Sequence, residues 1–366
     1  MRVLLINQGH TDNLGDRAIA ETMSDLVSET LDADVVTMPY IPDECATDLA
    51  LEKAKPISFA PEERISSLRK AIRTVKRAVS NYGKETPRQR YERSVRERLQ
   101  GQSFDCAVIG GGELIKGNRH PFYYSLLSWI AVLAERQCPI FVLGVSSDAR
   151  FTWRERAELH DALSRCNCIM VRDQQTVNVM KNALRVECGY APDVVFAYRA
   201  LRRIEETRYH APEKTHDAVC VYSYHELTGT LKNEYTLHEY YEMWYRLMLQ
   251  HAKRPVKLLY TTYSDYCEST RFQQWLRDEK HVDCALASID DVDDYLRELS
   301  DCESLISARM HSMIFALQYE VGIVPIPIKS KLATFKREWQ DADVDWMRTG
   351  AEVREVYRHA LCAAEM

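Results

Sequence analysis

The chain has 366 residues, of which 46% are hydrophobic and 28% charged, a composition that excludes collagen-like, low-complexity and wholly disordered proteins. Its formal charge of −6 gives no whole-chain electrostatic reason to expect nucleic-acid binding. The longest apolar runs, such as 126–134, are well short of the ~20 residues of a membrane-spanning helix. The first residues carry no pattern of an export signal, so we expect a cytoplasmic protein.

The eleven cysteines are scattered along the chain, and no CxxC pair occurs. The single CxC, at Cys166 and Cys168, has no second pair or histidine at the spacing of a zinc site. Cys106 and Cys220 lie in apolar, strand-like segments, where a reduced thiol packs as a small hydrophobic side chain. We therefore expect reduced cysteines and no bound metal.

In the first half of the chain, short apolar runs alternate with longer helical stretches, which is typical of a parallel α/β sheet. The runs are nearly continuous in Val, Ile and Leu, as expected of strands covered on both faces. The predicted strands are Val3–Asn7, Val35–Met38, Asp105–Ile109, Ile140–Val145 and Cys168–Val171. The predicted helices between them are 16–31, 123–136, 154–164 and 174–184.

A second alternating series begins near residue 215. Its predicted strands are 218–222, 256–261, 284–287, 304–307 and 324–327, and its predicted helices are 237–251, 269–278, 291–299 and 311–319. The two series are separated by residues 199–216, which are polar, charged and without a clean period. We therefore predict an N-terminal domain over 1–200, a C-terminal domain over 215–340 and a helical tail over 341–366, with a ligand cleft between the domains.

One segment is far more basic than the rest of the chain. It holds twelve Lys or Arg from Arg64 to Arg98 against five acids from Glu62 to Glu97, which gives a local excess near +7. Apolar residues recur at helical spacing over 61–80, within a basic insert of about 61–100. Two interpretations stay open: a helix packed on its own domain, or an interfacial helix attracted to an anionic membrane.

Three loops after strands have residues suited to binding a ligand. In the first, Gly15 permits close approach of a ligand before a helix N-terminus, although Asn13 and Asp16 also suit simple helix capping. In the second, Gly110–Gly112 follows a strand but fits neither the GxGxxG nor the P-loop pattern, which argues against NAD or ATP.

The third loop places Arg309 and His311 at the start of a helix, with Lys329 and Lys331 downstream. An arginine fork binds phosphate or carboxylate, and a histidine exchanges protons near neutral pH. A structural histidine and an arginine paired with an acid are the alternatives. The combination favours a site for a small anion.

In their order and spacing, these motifs resemble the polysaccharide pyruvyltransferase family over roughly residues 1–340. The motifs are Asn13-x-Gly15-Asp16-x-Ala-Ile, Gly110-Gly-Gly112, Arg172-Asp173, Pro192-Asp193, Arg309-x-His311 and Lys331. The resemblance implies two Rossmann-type parallel-sheet domains facing across a cleft, in a GT-B-like α/β fold. It also implies transfer of pyruvate from phosphoenolpyruvate to two hydroxyls of a sugar, which forms a cyclic ketal in bacterial exopolysaccharides, capsules or cell-wall polymers.

The resemblance also suggests roles for individual residues. His311, Arg309 and Asp16 are the expected catalytic residues, with His311 as acid or phosphate stabiliser and Asp16 as base or orienting group. The expected donor site comprises Asn13, Gly15, Gly111, Gly112, Arg309, His311 and Lys331. Phosphoenolpyruvate is then a substrate, and no metal or organic cofactor is expected. The expected acceptor is an oligosaccharide on a lipid diphosphate carrier at the inner face of the cytoplasmic membrane.

The sequence also departs from the family pattern. Arg17 occupies a position that is often acidic in the family. The segment Leu143–Ser147 has Gly144 but lacks a later glycine that many relatives carry, and the basic insert matches no family motif. These departures concern the acceptor more than the fold.

Two other functions stay open. A nucleotide-sugar glycosyltransferase would share the architecture, with Glu226 read either as a ribose-binding carboxylate or as a helix-start or surface residue. A non-catalytic scaffold of a polysaccharide assembly complex would use the aromatic-rich helix at 235–244 as an interaction face.

Overall fold

The computed structural model describes residues 1–9, 11–46, 85–118, 120–147, 150–202, 213–227, 235–328, 330–339 and 345–363, with only the backbone described for Ser330, Lys331, Trp346 and Met347. Within these residues the strands form two sheets, each made of parallel neighbours. Helices cover both faces of the first sheet. The chain therefore contains two α/β domains.

The first sheet has the strand order β2-β1-β3-β4-β5-β6. Its strands are β1 (Arg2–Asn7), β2 (Asp34–Pro39), β3 (Cys106–Ile115), β4 (Ile140–Ser147), β5 (Cys168–Val171) and β6 (Gly189–Tyr190). The helices between them are α1 (Leu14–Leu31), α2 (Pro87–Arg98), α3 (Pro121–Glu135), α4 (Trp153–Leu163) and α5 (Gln174–Val179), and α5 continues into a π-helical turn at Met180–Leu184. The short helix α6 (Tyr198–Leu201) ends this part of the chain.

The second sheet has the strand order β11-β10-β7-β8-β9. Its strands are β7 (His216–Cys220), β8 (Val256–Leu258), β9 (Ala285–Leu286), β10 (Cys302–Ser307) and β11 (Gly322–Pro325). The helices are α7 (Leu237–His251), α8 (Tyr263–Trp275), α9 (Val292–Ser300), α10 (Met310–Gln318), α11 (Ser330–Trp339) and α12 (Trp346–Cys362). The predicted strands and helices are found in the predicted order, with ends that differ by a few residues.

Two of these differences affect the site. The strand predicted over Asp105–Ile109 continues to Ile115, because its pairing with β4 persists through the glycines with a shift in register. The helix predicted from Ser269 begins at Tyr263, since the Thr262 hydroxyl caps it by accepting from the backbone N–H of Asp265. Both changes bring polar residues to the carboxyl ends of the strands.

The C-terminal helix α12 packs against the first domain rather than extending from the second. Its Tyr357 is fully buried, and the Tyr357 hydroxyl donates to the carbonyl of Pro192 at 3.0 Å. Arg354 pairs with Glu29 of α1. The described part of the tail predicted over 341–366 thus helps to cover the first sheet.

The predicted basic helix over 61–80 lies outside the described residues. The described end of the basic insert forms α2, which buries Tyr91 and Val95 against α3. Arginines of α2 pair with carboxylates at 2.8–2.9 Å, as Arg88–Glu92, Arg93–Glu85 and Arg96–Glu135. This end of the insert therefore packs on its own domain, with its charges compensated.

None of the helices in the described ranges is long and apolar enough to cross a membrane. All eleven cysteines are free thiols.

We expect Gly111→Ala to destabilise the protein much more than Gly101→Ala. Both glycines have positive φ, at +76° and +71°, so both alanines suffer the left-handed strain of about 1–2 kcal/mol. A Cβ at Gly111 would also lie 1.8 Å from Ile19 Cγ2, whereas a Cβ at Gly101 would meet nothing within 4 Å. Urea unfolding should give a loss of about 3 kcal/mol or more for Gly111→Ala and about 1 kcal/mol for Gly101→Ala. Equal losses would mean that the contact with α1 is not tight.

Candidate functional site

A cavity of about 240 Å³ lies between the two domains, at the carboxyl ends of their central strands. Loops that follow β1, β5, β7, β8 and β10 contribute to its wall, together with the end of β3. This is where parallel sheets bind ligands, because loops from neighbouring strands converge there. The lining residues are Asn13, Asp16, Gly112, Glu113, Lys116, Phe122, Arg172, Tyr222, Thr261, Ala308, Arg309, Met310, His311 and Leu332.

The start of α1 supplies the carboxylate of Asp16 to the cavity. Asn13 caps the helix, and its Oδ1 accepts from the Gly15 backbone N–H at 3.0 Å. The Asn13 Nδ2 donates to Asp16 Oδ2 at 3.0 Å, and the Thr11 hydroxyl lies 3.4 Å from the same oxygen. Asn13 therefore fixes the orientation of Asp16, while the N–H of Gly15 is already bonded.

The same helix start is joined to the second domain. The Leu14 backbone N–H donates to the carbonyl of Thr261 at 2.9 Å, and the Tyr263 N–H donates to Asp12 Oδ2 at 3.0 Å. A Cβ at Gly15 would lie 2.2 Å from His311 Nδ1. The glycine predicted to bind the donor thus makes room for the imidazole of His311 from the other domain.

Arg309 precedes α10 and is held by two carboxylates. Its Nε and Nη2 donate to the two oxygens of Asp265 at 2.7 and 2.6 Å, and Nη2 also donates to Glu226 at 2.9 Å. Asp265 is fully buried. Burial opposes the arginine charge, but the carboxylates of Asp265 and Glu226 raise the pKa of Arg309, so the guanidinium stays charged.

The fork of Arg309 is also fixed from a third direction. Its guanidinium carbon lies 4.1 Å from the centre of the Tyr222 ring, which is a cation–π contact. Among the described residues, the hydrogen bonds of Arg309 use Nε and Nη2, and Nη1 has no bonded acceptor. One edge of a fixed cation is therefore available to a ligand of the cavity.

His311 contacts a second charged pair, which comes from the first domain. Its Nε2 lies 3.5 Å from Asp193 Oδ2, and the same oxygen accepts from Arg172 Nη1 at 2.7 Å. Arg172 also donates to the Ser146 hydroxyl, from Nη2 at 3.0 Å. Burial would raise the pKa of Asp193, but Arg172 and His311 outweigh it and hold that pKa below its usual value. Asp193 is therefore a carboxylate that orients both the histidine and the arginine.

The glycines at the end of β3 divide into two roles. Gly112 lines the cavity with a φ of +92°, and a Cβ there would lie in ordinary contact, 3.7 Å from Leu114 Cδ2. Gly111 does not line the cavity, because it faces Ile19 of α1. Just beyond them, Lys116 forms an ion pair with Glu113, and both side chains line the cavity.

Of the predicted site residues, the structure brings Asn13, Asp16, Gly112, Arg309 and His311 together in one cavity. Gly15 and Gly111 lie behind its wall as packing positions. Lys331 lies in the first turn of α11, next to Leu332 of the cavity wall, but its side chain is outside the described part of the structure. Among the residues described, no group of three His, Cys, Asp or Glu could hold a metal ion.

Sequence reasoning missed several polar residues of the site. Arg172 and Asp193 were quoted only as family motifs, and Lys116 and Asp265 were not singled out at all. Glu226, treated as a helix-start or surface residue, accepts from both Arg309 and Ser264, so its two oxygens are bonded within the site. The missed signal for Arg172 was its position, one residue beyond a buried strand.

We expect Asp193→Asn to lower stability at neutral pH by about 3–5 kcal/mol, because it leaves the buried Arg172 charge uncompensated. The folded-state pKa of Asp193 is depressed, so its stabilising effect is full above the unfolded pKa of ~3.9 and is lost as pH falls toward the folded pKa. Urea unfolding at pH 7, 5, 4 and 3 should show a gap from wild type that is constant above about pH 5 and narrows below about pH 4. Asp161→Asn, at an exposed position of α4, should show no such gap, and a gap that stays constant to pH 3 would contradict the assignment.

Comparison with known proteins gives the same fold and a family. The structure resembles the UDP-GlcNAc 2-epimerase of Neisseria meningitidis bound to UDP-GlcNAc, at 10% identity and a TM-score of 0.54, with 99% of this chain and 100% of that chain covered. It also resembles the UDP-GlcNAc 2-epimerase of Methanocaldococcus jannaschii, at 10% identity and a TM-score of 0.52, with 97% and 92% covered. At this identity the likeness shows the fold alone, and it confirms the predicted GT-B-like pair of parallel-sheet domains.

A comparison with curated protein sequences gives no match. The family model described as polysaccharide pyruvyl transferase matches residues 13–330, nearly the whole chain. The match begins at Asn13, which caps α1, and ends at the start of α11, so it includes every lining residue of the cavity given above except Leu332. The chain belongs to the polysaccharide pyruvyl transferase family.

Proposed function

We propose that this protein transfers the pyruvate unit of phosphoenolpyruvate to two hydroxyls of a sugar, forming a cyclic ketal and releasing phosphate. The observation that carries the proposal is the cavity itself, in which Lys116, Arg172, Arg309 and His311 face a small space beside the carboxylate of Asp16. Fixed cations suit the binding of phosphoenolpyruvate, which carries a phosphate and a carboxylate. A carboxylate beside them suits an acceptor that must lose hydroxyl protons.

The cations of the cavity are held in place before any ligand binds. Arg309, Arg172 and Lys116 each pair with a carboxylate, which fixes the direction of their remaining N–H groups. Donors fixed in this way need little reorganisation when charge develops during a reaction. We assign Arg309 Nη1 and the start of α10 to one anionic end of phosphoenolpyruvate, and Arg172 and Lys116 to the other. Lys331 remains a further donor-binding residue of the proposal.

The proposed reaction needs one proton at carbon and loses two from oxygen. Protonation of the C3 methylene turns it into the methyl group and leaves a cation-like centre at C2, which the first sugar hydroxyl attacks. The bond from C2 to the bridging oxygen then breaks, and phosphate leaves with that oxygen. The second hydroxyl attacks C2 and closes the ketal. Of the two hydroxyl protons, one balances the proton added to C3 and the other leaves with phosphate.

His311 and Asp16 are placed to move these protons. His311 is 14% exposed, lines the cavity and is oriented by Asp193, which suits an acid that protonates C3 or stabilises the leaving phosphate. Asp16 is held by Asn13 and Thr11 through one oxygen, Oδ2. Its carboxylate is then the base that orients or deprotonates the acceptor hydroxyl.

We expect phosphoenolpyruvate to raise the melting temperature of the wild-type protein. A phosphoenolpyruvate concentration of 100 times the dissociation constant corresponds to about 2.7 kcal/mol of added stability.

His311→Gln should lower the rate of pyruvyl transfer by about 10²–10⁴-fold, because it removes the proposed acid. His238→Gln, at an exposed position of α7, is the control and should transfer at the wild-type rate. Transfer by His311→Gln within about threefold of wild type would refute the assignment.

We further propose that the acceptor is an oligosaccharide on a lipid diphosphate carrier, met at an anionic membrane surface. The sequence support is the set of basic residues that flank the apolar helical pattern over 61–80, which would attract anionic headgroups. The protein should co-sediment with phosphatidylglycerol-containing vesicles but not with pure phosphatidylcholine vesicles, and salt should weaken the binding. Replacing Arg69, Arg73 and Arg77 by glutamate should abolish it. Equal and negligible sedimentation with both kinds of vesicle would reject this acceptor location.

A further inference from the structure

A second cavity, of about 530 Å³, lies close to the 240 Å³ cavity, which is called the reaction cavity from here on. It is a groove between the two domains, with α5 and its π-helical turn on one side and α11 on the other. Its first-domain wall is dominated by four amide side chains, Gln174, Gln175, Asn178 and Asn182, and we call it the amide groove. The mechanism proposed above uses none of these residues.

The lining of the amide groove begins close to the reaction cavity in both domains. Arg172 lines the reaction cavity, and Gln174, two residues further on, lines the groove. On the opposite wall, Leu332 lines the reaction cavity and Thr334 lines the groove. The two cavities therefore lie near each other, at the starts of α5 and α11.

The chemistry of the groove favours a neutral, hydroxyl-rich ligand. An amide both donates and accepts hydrogen bonds, as a sugar hydroxyl does. None of the four amides bonds to another side chain or backbone group of the described residues, so their capacity is available to a ligand. Val179 and Ala183 add apolar surface between the amides, which suits the C–H faces of a sugar ring.

Charge in the groove is sparse. Among its described lining residues, Arg337 is the one charged side chain, and no carboxylate is present. The contrast with the reaction cavity, where several cations and carboxylates converge, is clear. A diphosphate or another strongly charged group would find its fixed cations in the reaction cavity rather than here.

We propose that the amide groove binds the neutral sugar units of the acceptor chain next to the sugar that receives the pyruvate. This inference rests on the proposed function, and it adds the place and chemical class of the acceptor. The amides from Gln174 to Asn182 span nine residues, which is eight helical steps or about 12 Å of helix. The groove therefore binds an extended segment of a glycan rather than a single sugar.

The other flank of the cleft offers a different surface, which serves as the alternative in the test. Tyr263 is 68% exposed there and stacks with Tyr266 at a centroid distance of 6.1 Å. An aromatic face can also bind a sugar ring. The amide groove is favoured because it is concave and its lining begins two residues from that of the reaction cavity in both domains.

The test measures binding of defined neutral hexasaccharides, built of glucose, galactose, mannose or N-acetylglucosamine, together with the acidic hexagalacturonate. Binding is followed by saturation-transfer NMR and calorimetry with the full chain. We expect at least one neutral hexasaccharide to bind more tightly than hexagalacturonate. Gln175→Ala and Asn178→Ala should each weaken that binding about three- to tenfold, since each removes one or two hydrogen bonds.

Controls separate loss of the sugar site from loss of the fold. Lys181→Ala changes an exposed residue of the same helical segment that does not line the groove, so binding should be unchanged. Alanine favours helix more than Gln or Asn, so the groove variants should keep the wild-type melting temperature. They should also keep the thermal shift caused by phosphoenolpyruvate.

Each contrary result has a distinct meaning. The groove proposal is overturned if wild-type protein that responds to phosphoenolpyruvate binds no neutral hexasaccharide, or if the groove variants bind as tightly as wild type. It is also overturned if Tyr263→Ala, and not the groove variants, weakens binding. Absence of a phosphoenolpyruvate shift in wild type, with hexasaccharide binding intact, rejects the proposed donor and leaves the groove as a glycan site.

Discussion

The contact between the first turn of α1 and the start of α10 is the constraint on which the site depends. The imidazole of His311 lies against Gly15 so closely that even a methyl group would not fit between them. Beside it, the Leu14 N–H bonds to the carbonyl of Thr261. These contacts join two domains that have separate sheets, and they place Asp16 of one domain opposite His311 and Arg309 of the other. Without them, Asp16 would not share a cavity with the imidazole of His311 and the guanidinium of Arg309.

Buried charge pairs then orient the groups that this contact brings together. Arg172 with Asp193 and Arg309 with Asp265 are almost inaccessible to water, and removing such pairs from water costs much of their mutual attraction. Their value is therefore geometric more than energetic. Each carboxylate bonds to one side of its arginine guanidinium, so that the other side has a defined orientation toward the cavity. Asp193 also connects the two domains, since it faces both Arg172 and His311.

The fold places charged residues in the reaction cavity and neutral polar residues in the nearby amide groove. The reaction cavity lies at the ends of central strands, where loops can contribute residues from many elements. The amide groove lies between two helices, so its character is set by one helix face and by α11 opposite. A small charged donor and an extended neutral acceptor would accordingly be bound by different kinds of structural element.

The sequence by itself determined the class of fold and the order of its elements, because apolar periodicity records which faces of strands and helices are buried. It also singled out Asn13, Asp16, Arg309 and His311, which line one cavity, since loops after parallel strands are few and these residue types are distinctive. The tertiary structure decided how far β3 and α8 extend, because pairing with β4 and the Thr262 cap are contacts that periodicity does not record. It also decided that Gly15 is a packing position, that Asp265 and Glu226 hold Arg309, and that Arg172 and Lys116 reach the cavity. These roles depend on residues far apart in the chain, and only folding brings them within bonding distance.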